Sequence, residues 1–140
     1  MKKLYWSAFV YIIISLFFGV FYREFTVFHG FNGYTQLSLI HSHGLILGTL
    51  FFLIILILDR LYQLTSKKSF PLWFIIYHVG LIGLISTMMI RGIGQVLSWQ
   101  LSGFNHIAGL FHTILGIALV WFFILFGKQL KSKQLSREKE

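Results

Sequence analysis

Four apolar runs, each long enough to cross a bilayer and none much longer, constrain this chain more than anything else in it. They occupy roughly residues 4–22, 37–58, 72–90 and 104–126. At 1.5 Å per residue, runs of about 19–23 residues form helices of about 30 Å, the thickness of the hydrocarbon layer. Inside that layer each backbone N–H and C=O must be satisfied within its own segment, and helix does this for isolated spans. The expected fold is all-α: an integral membrane four-helix bundle, one domain over residues 1–127, followed by a charged tail over 128–140. Composition agrees, since 56% of the 140 residues are hydrophobic and only 11% are charged, too little polar surface to cover a soluble domain.

The first run follows Met1-Lys2-Lys3, as a signal peptide would. It has no small-residue cleavage site, and Phe21-Tyr22-Arg23-Glu24-Phe25 follows it, so it reads as an uncleaved span. The basic residues set the orientation. Lys2 and Lys3 precede the first span, Arg60, Lys67 and Lys68 lie between the second and third, and Lys128, Lys131, Lys133, Arg137 and Lys139 follow the fourth. All three groups fall on one side, which puts both termini in the cytoplasm and the loops 24–36 and 91–103 outside. The net charge of +8 therefore belongs to topology and anionic lipid; nucleic acid is not an expected partner. Pro71 suits the start of the third helix, and Gly30, Gly33, Gly92, Gly94 and Gly103 suit turns in the outer loops. The expected setting is the cytoplasmic membrane of a bacterium.

The two halves echo one another. Arg23 ends the first run and Arg91 the third, and Ile46-Leu47-Gly48 and Ile114-Leu115-Gly116 recur at the same offset of 68 residues. Gly30-Phe31-Asn32 and Gly103-Phe104-Asn105 recur at a different offset. The pattern reads as two tandem helical hairpins.

Ionisable groups inside hydrocarbon are costly and mark function by default, and this chain places histidines there. Counting from the outer ends, His41 and His43 lie roughly 6–9 Å deep and His112 about 12 Å deep. They share a layer, whereas His78 falls in the cytoplasmic half. His41 and His43 point about 200° apart, so only one of them can face the bundle centre. His41 shares its face with Ser38, Gly44 and Gly48, and His112 shares its face with Asn105, Ala108, Gly109 and Gly116. Small residues around a histidine let a flat group or another helix approach. The expected inward pair is His41 and His112.

Arg23 and Arg91 stand at outer helix ends, against the positive-inside bias. Two guanidiniums above a histidine layer suit a ligand with two carboxylates, bound bidentately. Haem b has that shape: an iron taking axial imidazole, an apolar macrocycle and two propionates on one edge. The candidate cofactor-binding residues are therefore His41, His43, His112, Arg23 and Arg91, with the three histidines as candidate axial ligands. Each also has a plainer role. Arg23 can pair with Glu24 or reach headgroups, His78 can serve as a helix–helix hydrogen bond, and His29 and His106 can be loop residues. His-x-His can also hold copper or zinc, a second metal, although Glu24 is the sole outer carboxylate to assist. No cysteine is present to supply a thiolate.

The stretch Leu39-Ile40-His41-Ser42-His43-Gly44-Leu45-Ile46-Leu47-Gly48 resembles the second helix of the haem–copper oxidase subunit I superfamily, nitric oxide reductases included. There a histidine near the outer end ligates a low-spin haem. The nitric oxide reductase form of the motif implies His41, and the cytochrome oxidase form implies His43. The superfamily's twelve helices, copper-site histidines and linked tyrosine have no counterpart here. The resemblance thus implies a haem site and not oxygen reduction, nor a complete enzyme. Its twelve helices form three arcs of four, which raises a homo-oligomer, a trimer, as an expectation for a four-helix chain. The chain also looks like a small family of four-helix bacterial membrane proteins.

The leading expectation is a bis-His haem b protein that carries electrons, senses haem or gas, or handles haem. One alternative is a small transporter or channel whose His and Arg layer passes a metal ion, proton or anion. Another is a non-catalytic membrane partner subunit.

Overall fold

A computed structural model describes residues 1–100 and 103–137. Among them there are helices and turns and no strand. Four helices are long and apolar enough to cross a membrane. They are α1 (Lys2–Phe28), α2 (Leu37–Tyr62), α3 (Phe70–Val96) and α4 (Phe104–Arg137).

Each helix outruns its apolar run. Hydrocarbon thickness limits hydropathy and not helix length, so a helix continues until its backbone is turned. For α1 that happens at Gly30, with φ of +59°. Its N–H bonds the Val27 carbonyl and the Phe31 N–H bonds the Thr26 carbonyl, at 3.0 and 2.9 Å, the paired bonds of a left-handed helix stop. For α3 it happens at Ser98, with φ of +57°, where the Trp99 N–H reaches the Gly94 carbonyl at 2.8 Å. Arg23 and Arg91 accordingly sit inside helices and not in loops. Gly92 and Gly94, expected as turn residues, are buried in α3. Pro71 does lie in the first turn of α3. The tail expected to be loose from residue 128 is helical through Arg137; residues 138–140, and Leu101 and Ser102, lie outside the described residues.

The helices pack in chain order. α1 lies along α2, α4 lies along α3, and α2 and α3 join the two pairs; α1 and α4 share no extended interface among the described residues. Glycines set both pair contacts, mostly from the inner helices. Gly44 and Gly48 of α2 take Ser15 and Tyr11 of α1, and Gly80 and Gly83 of α3 take Leu115 and Phe111 of α4. At the inner junction, a Cβ on Gly92 would meet the Leu37 backbone nitrogen at 2.6 Å. Glycine is needed where backbones approach this closely.

The chain thus forms two helical hairpins in tandem, whose matching positions pack differently. Gly48 is buried against Tyr11, whereas its counterpart Gly116 has nothing within 4 Å. Gly30 follows a helix and Gly103 precedes one.

Aromatic rings fill the middle. Trp73 and Tyr77 are fully buried, and the Trp73 Nε1–H donates to the Ala118 carbonyl at 2.8 Å. At one end Thr35 donates to the Gly92 carbonyl and the Gln95 side chain accepts from the Gln36 N–H, both at 2.8 Å. At the other, buried Asp59 accepts from the N–H and hydroxyl of Thr65 at 2.8 and 2.9 Å.

Residues Gly44–Leu50 of α2 form a π-helical segment. Such segments loosen the regular ladder and collect at functional positions. Here the Tyr77 hydroxyl donates to the Leu47 carbonyl at 2.7 Å, tying α3 to the widened turn. Tyr77→Phe should cost about 1 kcal/mol, the scale of a side-chain hydrogen bond within a membrane bundle. Equilibrium unfolding in mixed micelles, followed by circular dichroism, checks this; an unchanged midpoint would mean the bond carries nothing.

Candidate functional site

The histidines keep the common depth expected of them. Leu37 of α2 packs at Gly92 of α3, and Leu47 bonds Tyr77, so His41 and His43 lie level with the stretch of α3 between those residues. Gly83, within that stretch, receives Phe111, the residue before His112.

Their faces differ. The face that His41 shares with Gly44 and Gly48 is turned to α1. The His41 Nδ1 lies 3.0 Å from the Ser15 carbonyl, and a Cβ on Gly19 would meet that nitrogen at 3.0 Å. The acceptor is a carbonyl, so Nδ1 must carry a proton, and in the neutral ring Nε2 then holds the lone pair. This is the tautomer that metal-ligating histidines hold, with Nδ1–H fixed by an oxygen and Nε2 outward. Of the histidines with a placed ring bond, His41 alone makes its Nδ1 bond to a carbonyl of another helix; His29, His43, His78 and His112 bond the carbonyl four residues earlier.

His43 is half-buried on the other side of α2, its Nδ1 2.9 Å from the Leu39 carbonyl. His112 corrects the expected inward pair. It is exposed, with Gly109 and Gly116 beside it in open space. α4 buries Leu115, Ala118 and Phe122, and seats Phe111 on Gly83. His112 follows Phe111 and so points about 100° round the helix. The physical reason is area: glycines on α3 select bulky residues from α4, and the small-residue face is left outward. The side chain of Asn105, expected on that face, lies outside the described residues. A single chain therefore does not offer His41 and His112 to one iron.

The arginines straddle the His41 end of α2. Arg23 follows Gly19 by one turn, about 6 Å along α1 from the contact with His41. It is 82% exposed, with its Nε 3.9 Å from Glu24, so the plainer pairing weighed for it is present as a loose, exposed ion pair, too long for a hydrogen bond. Arg91 is half-buried and precedes Gly92, which packs on Leu37, one turn from His41.

His78 fulfils its expected role. Its Nε2 is 3.2 Å from the Ser7 hydroxyl of α1. His29 and His106 are exposed. Among the described residues no three His, Cys, Asp or Glu side chains come together, so the copper or zinc alternative finds no assembled donor set. The fixed carbonyl partner of His41, the π-helical turn and the Ser7–His78 pair were not foreseen. Each depends on which helix lies opposite, which spacing along one segment does not encode.

Residues 1–129 match a family model described as a protein of unknown function, DUF2871, and the chain belongs to that family. No curated protein and no solved structure matches it.

Proposed function

We propose that this DUF2871 member is a haem b protein of the membrane, with His41, packed where α2 meets α1, as an axial ligand. The observation that carries the reading is the His41 imidazole: Nδ1 is tied to the Ser15 carbonyl and Nε2 has no partner among the described residues. Arg23 and Arg91 each lie about one turn from it toward the same end, where propionates would be met. A macrocycle does not fit in the bundle centre, which Trp73, Tyr77, Phe52 and Leu81 fill completely. It would lie at the lipid-facing edge. His112, facing outward at the same depth, would supply the sixth ligand from a second copy of the chain, making the homo-oligomer part of the site. Electron transfer, haem or gas sensing and haem handling all remain within this reading. The filled centre gives a transport path little support.

The test is an optical spectrum of the protein purified from haem-supplemented cells, oxidised and then reduced with dithionite. Sharp reduced bands of a six-coordinate b haem are the expected result. A five-coordinate spectrum that shifts with carbon monoxide would keep His41 and remove His112. Colourless protein would sink the haem reading.

A further inference from the structure

We propose that the end of the bundle where α1 and α3 begin binds an anionic phospholipid, its phosphate beside Lys2 and Lys3 and its two acyl chains in the furrows that lead from there along α1 and α3. The site lies at the opposite end of the bundle from His41 and does not rest on the haem reading.

A cavity of about 570 Å³ opens between the first turn of α1, at Lys2 and Lys3, and the first turn of α3, at Phe70 and Pro71. Two furrows continue it. One, of about 370 Å³, starts at Lys3 and follows α1 past Val10 to Ile14. The other, of about 440 Å³, starts at Phe74 and Ile75, which also line the cavity, and runs along α3 to Gly83 and Phe111. Lys3 to Ile14 on α1 and Pro71 to Ile82 on α3 each span about 17 Å at 1.5 Å per residue. That is close to half of the roughly 30 Å hydrocarbon layer, so each furrow has the depth of one leaflet. The furrow walls are apolar apart from Ser7 and His78, which lie 3.2 Å from each other. One head cavity with two apolar furrows matches a molecule with one headgroup and two chains.

The rim of the cavity sets the charge of that headgroup. Lys2 and Lys3 are exposed, and Lys67 and Lys68 shortly precede α3. Neither helix start has a side-chain cap, so the positive ends of both helix dipoles add to the lysines. Among the described residues the one carboxylate at this end is Asp59, which is 4% exposed and already engaged. It accepts from the N–H and hydroxyl of Thr65 at 2.8 and 2.9 Å, and the Met1 amino nitrogen lies 3.7 Å from it. A zwitterionic lipid would bring a further cation into this cluster. Phosphatidylglycerol brings a phosphate and a neutral glycerol, and basic side chains between spans at the headgroup level favour such lipids.

The test uses the purified full-length chain, delipidated in detergent and titrated with dioleoyl phosphatidylglycerol or dioleoyl phosphatidylcholine, with bound lipid counted by native mass spectrometry. One phosphatidylglycerol per chain is expected to bind about twenty-five-fold more tightly than phosphatidylcholine, from two lysines at roughly fivefold each. Lys2→Gln together with Lys3→Gln should abolish the preference. Lys128→Gln together with Lys131→Gln removes the same charge from α4 at the same end and should leave it unchanged. Ile75→Trp fills the passage from cavity to furrow without touching a charge and should remove the tight phosphatidylglycerol. Thermal melts establish that the variants fold; should the Lys2 and Lys3 variant fail to fold, Ile75→Trp decides. Equal binding of the two lipids, equal loss of preference from the two lysine pairs, or wild-type binding by Ile75→Trp would overturn the proposal.

Discussion

Gly80→Leu should detach α4 from α3 at a large cost in stability. A Cβ at this position would stand 2.9 Å from the Leu115 nitrogen and 3.0 Å from its Cα. Those are backbone atoms, so no rotamer change can relieve the contact, and the helices must separate. Overpacking typically costs about 1–3 kcal/mol, and a backbone-to-backbone clash belongs at or above the top of that range. Separation would also break the bond from Trp73 Nε1 to the Ala118 carbonyl. Gly116→Leu, on the open face of the same α4, is the matched control and should be neutral or slightly stabilising through helix propensity. Unfolding midpoints of the two variants in mixed micelles make the comparison. Equal midpoints would show that the α3–α4 crossing does not run through Gly80.

That contrast explains what the sequence could and could not disclose. Four spans were legible because hydrocarbon thickness writes itself into the length of an apolar run. The helix ends were not, because beyond the hydrocarbon a helix stops where the backbone turns, at Gly30 and Ser98, and hydropathy is silent there. The grouping of His41 with Gly44 and Gly48 on one face was also legible, since it needs only the helical period. What met that face was not. Small residues beside a histidine admit either a flat ligand or a neighbouring helix, and at His41 they admit α1. The same spacing on α4 led to the opposite environment, an open face. The deciding residues there, Gly80 and Gly83, lie some 30 positions earlier on another helix, and they draw in Phe111 and Leu115 in place of the small side. Depth along a helix is a local property and survived; azimuth is a property of pairs of helices and did not.

His41→Ala should remove bound haem, and the pattern of loss and rescue should identify which copy supplies each ligand. Loss of an outer-shell partner alone typically lowers metal affinity by about 10–100-fold, so loss of the ligand itself should exceed that and leave protein purified in detergent nearly colourless. Free imidazole added to His41→Gly has a vacated space between Ser15 and Gly19 to enter, because the ring it replaces is held there by a carbonyl and not by its own helix. Partial return of the reduced bands is expected. His112→Ala should instead retain haem and convert it to a five-coordinate form, since His112 is exposed and contributes nothing to holding the chain together. His43→Ala should change neither; loss of haem in that variant would move the ligand from His41 to His43. Co-expression of His41→Ala and His112→Ala copies separates the arrangements. If each haem takes His41 from one copy and His112 from another, a mixed pair contains one site with both imidazoles intact and one with neither. Six-coordinate haem then returns to a fraction of the protein. If both ligands come from one chain, every site in the mixture lacks one of them, and no such fraction appears.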